Sequence, residues 1–600
     1  MSDIAPIVYQ LNPESKSQHL FAVRVAIPEQ QQPTLTLSMP AWIPGSYMIR
    51  DFSKNIGEFS ARDEHGRSLE WHKTDKQTWR IGTQGKACVV TYKVYAFDLS
   101  VRSAYLNDEY GFINGTSAFM AVHGAEATPC LIHLELDPDR FVEWKIVTGM
   151  PCEQADKLGI GIYSARNYQQ LIDYPILFGK FIQSTFRVDE LEAVLVFTGD
   201  LPLDLVRMSN DLTPILRQHM QMFADTPPIE KYWFITLLTE QGFGGLEHTN
   251  STVLMFPRWD LPLAREDQTT DAKSESYRDF LALCSHEFLH TWHVKRTKPA
   301  IFSTYHLDKE SYTNQLWIYE GFTSFYDDLA LARAKAITPE QYLSMVAKNI
   351  TRLLRNPGRL KQSAAESSYD AWTRFYQQDA NSINHIVSYY TKGGLIALCL
   401  DIYLRRQSQG KYSLDDVMRH LWQSFGKKSI GTPDNVIHKI VESLLGSAPD
   451  KLLHEWVYQA GELPLAESLA EIGATLHLSH AQDFDDLGGK APSAGMQNGL
   501  GITVKPAETG LIVQQVREGS NACRAGLQVG DRLLACNQWV VNKINLTRLL
   551  KHANECIELT LIRDGRLLSV DCQLEAATPD TAHIELTDRT RFAEWLGITE

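Results

Sequence analysis

Tyr277–Val294 runs YRDFLALCSHEFLHTWHV, and inside it stands His286-Glu287-Phe288-Leu289-His290. One turn of helix returns a side chain to the same face, so His286 and His290 can point at one metal ion. Glu287 stands to the side of that face, placed to reach a water at the metal rather than the metal itself. Tyr277, Phe280, Leu281, Cys284, Phe288 and Leu289 complete an apolar helix surface without Gly or Pro, and Pro299, shortly after Arg296, is where the helix is expected to stop. A mostly buried helix must compensate two imidazoles and a carboxylate, which a metal ion does directly.

Catalytic zinc takes three protein ligands and keeps one position open, so the motif calls for a third ligand elsewhere. Glu320 is the best candidate, in the stretch LWIYEGFTSFYDDLALARA, which has the apolar spacing of a second helix. A carboxylate among Trp317, Tyr319 and Phe322 is costly unless it is paired, and Gly321 lets a neighbouring backbone come close. Asp327, two turns further on, is placed to accept the spare N–H of a zinc-bound histidine, although the adjacent Asp328 offers the same chemistry.

HEFLHTWHVKRTKP followed by LWIYEGFTSFY resembles the glycyl aminopeptidase family of zinc metallopeptidases, relatives of aminopeptidase N. The resemblance extends over most of the chain. It implies one zinc ion per chain on His286, His290 and Glu320, with Glu287 as general base. GFGGLEH, residues 242–248, is similar to the exopeptidase motif of these enzymes, which makes Glu247 the anchor of the substrate's free amino group. An ammonium entering a partly dry cleft needs a fixed negative charge, and Gly244 and Gly245 let an edge backbone run beside an extended peptide. His248 follows the anchor and is expected to line the pocket, with no role fixed by its spacing. VSYYTKGGLIALCLDIYL resembles the Tyr-x-Lys-Gly segment of the aminopeptidase N group, which assigns Tyr390 to the oxyanion of the tetrahedral intermediate, with Tyr389 as the competing tyrosine. His293 stands where relatives have asparagine; it is taken as a neighbouring polar residue, because one helix does not aim three histidines at a tetrahedral centre.

A chain of 600 residues is too long for one core. Its net charge of -14 and pI near 5.8 argue against nucleic-acid binding. No apolar run approaches membrane-spanning length and the start has no signal-peptide pattern, so a cytoplasmic protein is expected. Nine cysteines without CxxC pairing fit reduced thiols, and Cys284 is expected to pack rather than ligate.

The expected fold is multidomain α+β. Residues 1–185 alternate in short strands and are expected as a β-sandwich-like domain, within which MPAWIPGSYMIRDFSKN resembles the family's N-terminal signature. Its Arg50 either borders the active cleft or belongs to a structural loop. Residues 186–470 are expected as a thermolysin-like zinc catalytic domain with a helical bundle, and 471–498, rich in Asp, Gly, Ser and Ala, as a linker. Residues 499–575 resemble a PDZ domain, with Leu500, Gly501 and Ile502 as the loop that receives a chain-terminal carboxylate and a hairpin turning at Asp564-Gly565. Residues 576–600 are expected as a tail with a short helix carrying Phe592, Trp595 and Leu596.

The functional expectation is an aminopeptidase acting on peptides with a free N-terminus. Its preference for Gly or Ala is what the resemblance implies. A PDZ-assisted zinc endopeptidase would leave Glu247 without its role. A silent peptide-binding protein is disfavoured because Glu287 is intact.

Overall fold

The structure is a computed structural model that describes residues 5–264, 273–553 and 555–598. The first four and last two residues of the expected terminal segments therefore lie outside it. The chain divides into two compact units, Met1–Ser311 with Ser424–Gly431, and Tyr312–Gln423 with Thr432–Glu600. The strand-rich N-terminal region thus falls in one unit with the zinc-motif helix. The expected catalytic region, 186–470, is divided at Ser311.

In the first unit, a seven-stranded sheet is centred on Ile7–Ser15, which pairs antiparallel with Leu20–Ile27 and parallel with Cys130–Leu134. Alternation of buried and half-buried residues from Ile7 to Glu14 buries Ile7, Tyr9 and Leu11 in the core. Two four-stranded sheets complete this β-rich part. A five-stranded mixed sheet follows, formed by β1 (Phe181–Val188), β2 (Leu191–Thr198), β3 (Lys231–Thr239), β4 (Gly244–Glu247) and β5 (Ser251–Pro257). Its spatial order is β1-β2-β3-β5-β4, so the short strand β4 forms one edge. The near-continuous burial of β2 and β3 reflects a sheet covered on both faces. Helix α1 (Leu205–Phe223) and the zinc-motif helix α2 (Glu275–Leu289) pack with it.

Helix α2 begins where Ser274 Oγ accepts the Tyr277 N–H at 3.1 Å. It ends at Leu289, before the expected stop near Arg296. Val294 adopts φ 86°, and the Thr297 N–H donates to Trp292 O at 2.8 Å, closing a turn that no Gly or Pro announced. His293 accordingly leaves the helical face.

The second unit is helical and then β-rich. Helices α3 (Leu316–Tyr319) and α4 (Gly321–Arg333) are separated at Glu320, where one continuous helix was expected. Helices α5 (Pro339–Leu354) and α6 (Tyr389–Gln407) follow. Gly321 and Gly393 bring α4 and α6 into backbone contact: a Cβ on Gly321 would stand 2.5 Å from Gly393 Cα. The expected linker 471–498 is not wholly irregular, since β6 (Ala474–Ser479) lies in it and pairs antiparallel with Thr581–Leu586 of the tail. The Ala582 N–H donates to Thr351 Oγ1 at 2.9 Å, and Trp595 Nε1 donates to the buried Asp401 at 2.7 Å. The tail thus returns to the helical core.

The PDZ domain lies between these two strands. Ile502–Pro506 is the edge of its sheet, and Cys556–Arg563 pairs with Arg566–Gln573 across the expected Asp564-Gly565 turn. Arg355, just past α5, ties several segments together. It donates to Asp580 Oδ1 at 3.1 Å, Asp486 O at 2.5 Å and Thr581 Oγ1 at 2.6 Å, while Asp580 also pairs with Arg517 of the PDZ domain.

Candidate active site

Helix α2 is fixed from two sides. Tyr232 Oη, on β3, donates to Glu287 O at 3.0 Å, and the Tyr232 ring meets Phe288 edge-on at 5.1 Å. His219 Nε2, on α1, lies 2.7 Å from Ser285 Oγ. The opposite face presents His286 and His290, whose ring centroids are 4.8 Å apart. His290 is buried, and its Nδ1 lies 2.9 Å from the carbonyl of His293. A neutral imidazole with its Nδ1–H on a carbonyl carries its lone pair on Nε2, the arrangement of a zinc-ligating histidine. For His290, the spare ring nitrogen is thus met by a backbone carbonyl. Asp327 itself is half-buried on α4, where its Oδ1 accepts the Asp328 N–H at 2.6 Å.

Glu287 is 4% exposed. Its carboxylate lies against Gly245 of the edge strand, where a Cβ would stand 2.0 Å from Oε1. Thr252 Oγ1, on β5, lies 3.4 Å from Glu287 Oε2 and donates to Leu246 O at 3.0 Å. Strand alternation puts Gly245 and Glu247 on the same face. Glu247 is also 4% exposed, and its Oε1 is buried with no hydrogen-bond partner. Glu247, Glu287 and His290 each bring one ligand atom within 4.8 Å of the others. Two carboxylates and an imidazole gathered in a buried region call for cationic partners, which fits a metal ion and an ammonium.

Two groups missed in the sequence hold this arrangement from behind. Gly45, in the N-terminal signature loop, packs on the Glu247 carboxylate: a Cβ there would stand 2.4 Å from Oε1. Asp173 accepts from Lys295 Nζ at 2.7 Å and from the Thr249 N–H at 2.8 Å, and lies 3.5 Å from His248 Nδ1. Burial alone would raise the Asp173 carboxyl, but the Lys295 ammonium and then His248 hold it well below the usual carboxylate range. His248, 2% exposed, thus lies beside a half-buried ion pair. Arg50 donates to Ser46 Oγ at 2.7 Å within its own loop.

In the second unit, Glu320 is buried at the break between α3 and α4. Tyr390, at the start of α6, lies 3.4 Å from Tyr376 Oη and stacks on Phe375. Burial, and then the negative charge of Glu320, push its phenol well above the ordinary value, so at neutral pH it remains a hydrogen-bond donor. Tyr389 is fully buried with its ring against Phe375, as a core residue. In the PDZ domain, the Leu500 carbonyl accepts the Ala522 N–H and the Gly501 carbonyl accepts the Arg517 N–H. Leu500, Gly501 and Ile502 line a cavity of about 810 Å³ that Arg355 and Phe484 also border.

An HExxH helix beneath a mixed sheet, with a glutamate on the sheet's open edge, defines a metallopeptidase. Residues 279–396 match the M61 glycyl aminopeptidase family, 8–180 the peptidase M61 N-terminal domain, and 512–563 a PDZ domain. The chain is similar to the solved aminopeptidase N family protein from Idiomarina loihiensis, with 36% identity, a TM-score of 0.94, and 98% of this chain and 100% of that one covered. The M1 zinc metallopeptidase from Deinococcus radiodurans aligns at 14% identity and a TM-score of 0.47, over 77% of this chain and 95% of that one. No curated protein matches. The chain belongs to the glycyl aminopeptidase family of zinc metallopeptidases, relatives of aminopeptidase N, and carries a PDZ domain. It is a zinc aminopeptidase. Among the described residues, no helix is long and apolar enough to cross a membrane.

Proposed function

We propose that this enzyme removes a small N-terminal residue, Gly or Ala, from peptides with a free amino group. The observation that carries the reading is Glu247, a buried carboxylate with an unpartnered oxygen on an edge strand, beside Glu287 and His290. One zinc ion per chain is assigned to His286, His290 and Glu320 on the family likeness. When bound, zinc supplies Lewis-acid chemistry to the scissile carbonyl. Glu287 takes a proton from the attacking water and returns it to the leaving amine. Tyr390 donates to the oxygen on which negative charge develops. Glu247 holds the ammonium, so only the first peptide bond is in register with Glu287. The preference for Gly or Ala rests on the family likeness.

Catalysis is assigned to residues 186–470, and Asp327 is kept as a supporting carboxylate for the zinc ligands. Capture of a chain terminus or extended segment is assigned to the PDZ domain, 499–575, at Leu500, Gly501 and Ile502. A cytoplasmic location agrees with nine cysteines that are all free.

Purified enzyme should be assayed on glycyl and alanyl amides and their N-acetylated forms, with and without a chelator. Glu287→Gln and Glu247→Ala should be run alongside. Cleavage of free amines that is lost with chelator and in Glu287→Gln is expected. Equal cleavage of blocked and free substrates would instead point to an endopeptidase.

A further inference from the structure

A cationic side chain, Arg102, lies against strand β4 with no carboxylate paired to it among the described residues. Arg102 comes from the loop that links the strands Cys88–Tyr95 and Ala104–Leu106. Its Nη2 donates to Gly245 O at 3.2 Å, and its Nη1 lies 3.9 Å from the point a Cβ on Gly244 would occupy. The side chain is half-buried, and its Nε is buried without an acceptor. A guanidinium offers five N–H groups in a fork that matches a carboxylate, and leaving a buried one unmade is costly.

The geometry relates this cation to the Glu247 anion. Glu247 ends the four-residue edge strand Gly244–Glu247, and the Arg102 guanidinium docks on the Gly245 carbonyl nearer its start. At the rise of a β-strand, the two steps from Gly245, or the three from Gly244, to Glu247 span about 7–10 Å. An extended dipeptide or tripeptide, at about 3.3–3.6 Å per residue, separates its ammonium from its carboxylate by a similar length. A substrate aligned on β4 by its ammonium would therefore bring its own C-terminus to Arg102. A longer or amidated chain would place a neutral peptide or amide group against the guanidinium.

We propose that Arg102 binds the C-terminal carboxylate of the substrate, making this enzyme selective for zwitterionic dipeptides and tripeptides. The proposal rests on the reading of Glu247 as the ammonium anchor. Arg102 is then a specificity residue that touches the far end of the substrate and takes no part in proton transfer.

Calorimetric binding to the zinc-loaded Glu287→Gln protein tests this without turnover, using trialanine, its C-terminal amide and its N-acetyl form. The same three peptides are titrated into Glu287→Gln/Arg102→Gln and Glu287→Gln/Arg102→Lys. Amidation is expected to weaken binding about tenfold or more in Glu287→Gln, the size of a charge-assisted contact, and less than about twofold once Arg102 is Gln. Arg102→Lys should keep part of the amidation penalty, which a merely structural arginine would not do. Equal binding of acid and amide in Glu287→Gln overturns the proposal, as does a full amidation penalty in the Arg102→Gln protein. If Arg102→Gln does not fold, the amidation arm of Glu287→Gln and the Arg102→Lys protein decide. An amidation penalty without an acetylation penalty would sink the Glu247 reading and leave Arg102 standing; the reverse would sink Arg102 alone.

Discussion

The backbone of Gly45 lies against the carboxylate of Glu247, so closely that a methyl group built on it would fall 2.4 Å from Oε1 and 2.7 Å from Oε2. Gly45 also has φ 95°, a conformation that costs an L-residue roughly 1–2 kcal/mol. A loop from the N-terminal signature thereby sets where the Glu247 carboxylate stands. Gly45→Ala should raise KM for free-amine substrates about tenfold or more. The cost should be reduced by the shorter Glu247→Asp in the double variant, as steady-state kinetics on alanyl amides would register. Additive losses would show that the two residues do not act through this contact.

Gly245 plays the corresponding part for Glu287. Its missing side chain leaves the place that the carboxylate fills, with Oε1 2.0 Å from where a Cβ would be. Gly245→Ala should displace the base and lower kcat about 10²–10³-fold, within the range that general acid-base groups contribute. Zinc content, measured on the purified protein, should be unchanged.

A stability effect is expected within the second unit. A Cβ on Gly393 would meet Trp317 O at 2.7 Å and Gly321 Cα at 2.9 Å, both backbone atoms that cannot yield by a rotamer change. Gly393→Ala should therefore destabilise the helical unit by about 1–3 kcal/mol through overpacking, read from chemical denaturation. Ser344→Ala, on a half-buried position of α5, serves as a mild control.

The pH dependence of stability should report Asp580. Burial raises its carboxyl, but the Arg517 and Arg355 charges outweigh this and hold it below the ordinary value. A carboxyl depressed in the fold contributes stability that is fully present above its unfolded pKa of about 3.9. That contribution is lost as pH falls through the folded value. Asp580→Asn should therefore cost about 1–3 kcal/mol between pH 5 and 8. The difference from wild type should shrink below about pH 4, as denaturation curves at several pH values would show.

Much of the site was legible because its signals are local. His286 and His290 owe their common face to helical spacing, and Glu247 lies in a continuous motif. The supports were not legible. Thr252 reaches Glu287 only because β5 pairs with β4, and Gly45 reaches Glu247 across most of the first unit's sequence. The carbonyl of His293 orients His290, and a backbone group leaves no mark in residue identity. Helix α2 ends at Leu289 because of a turn whose left-handed residue is Val294, a residue type that rarely adopts that conformation. Composition likewise hid β6: its partner strand begins only at Thr581, after the whole PDZ domain.

That last pairing has a consequence for how the PDZ domain is carried. Ser479 and Thr581 stand directly opposite each other, so the chain leaves and re-enters at the tip of what would otherwise be a hairpin. Residues 480–580 form a cassette with two anchorages, and a two-residue Asn-Gly turn in their place would restore an ordinary hairpin. Cutting the backbone on one side leaves the cassette attached by the other. Its position is set by the docked Arg355–Asp580–Arg517 junction and not by the statistics of a tether.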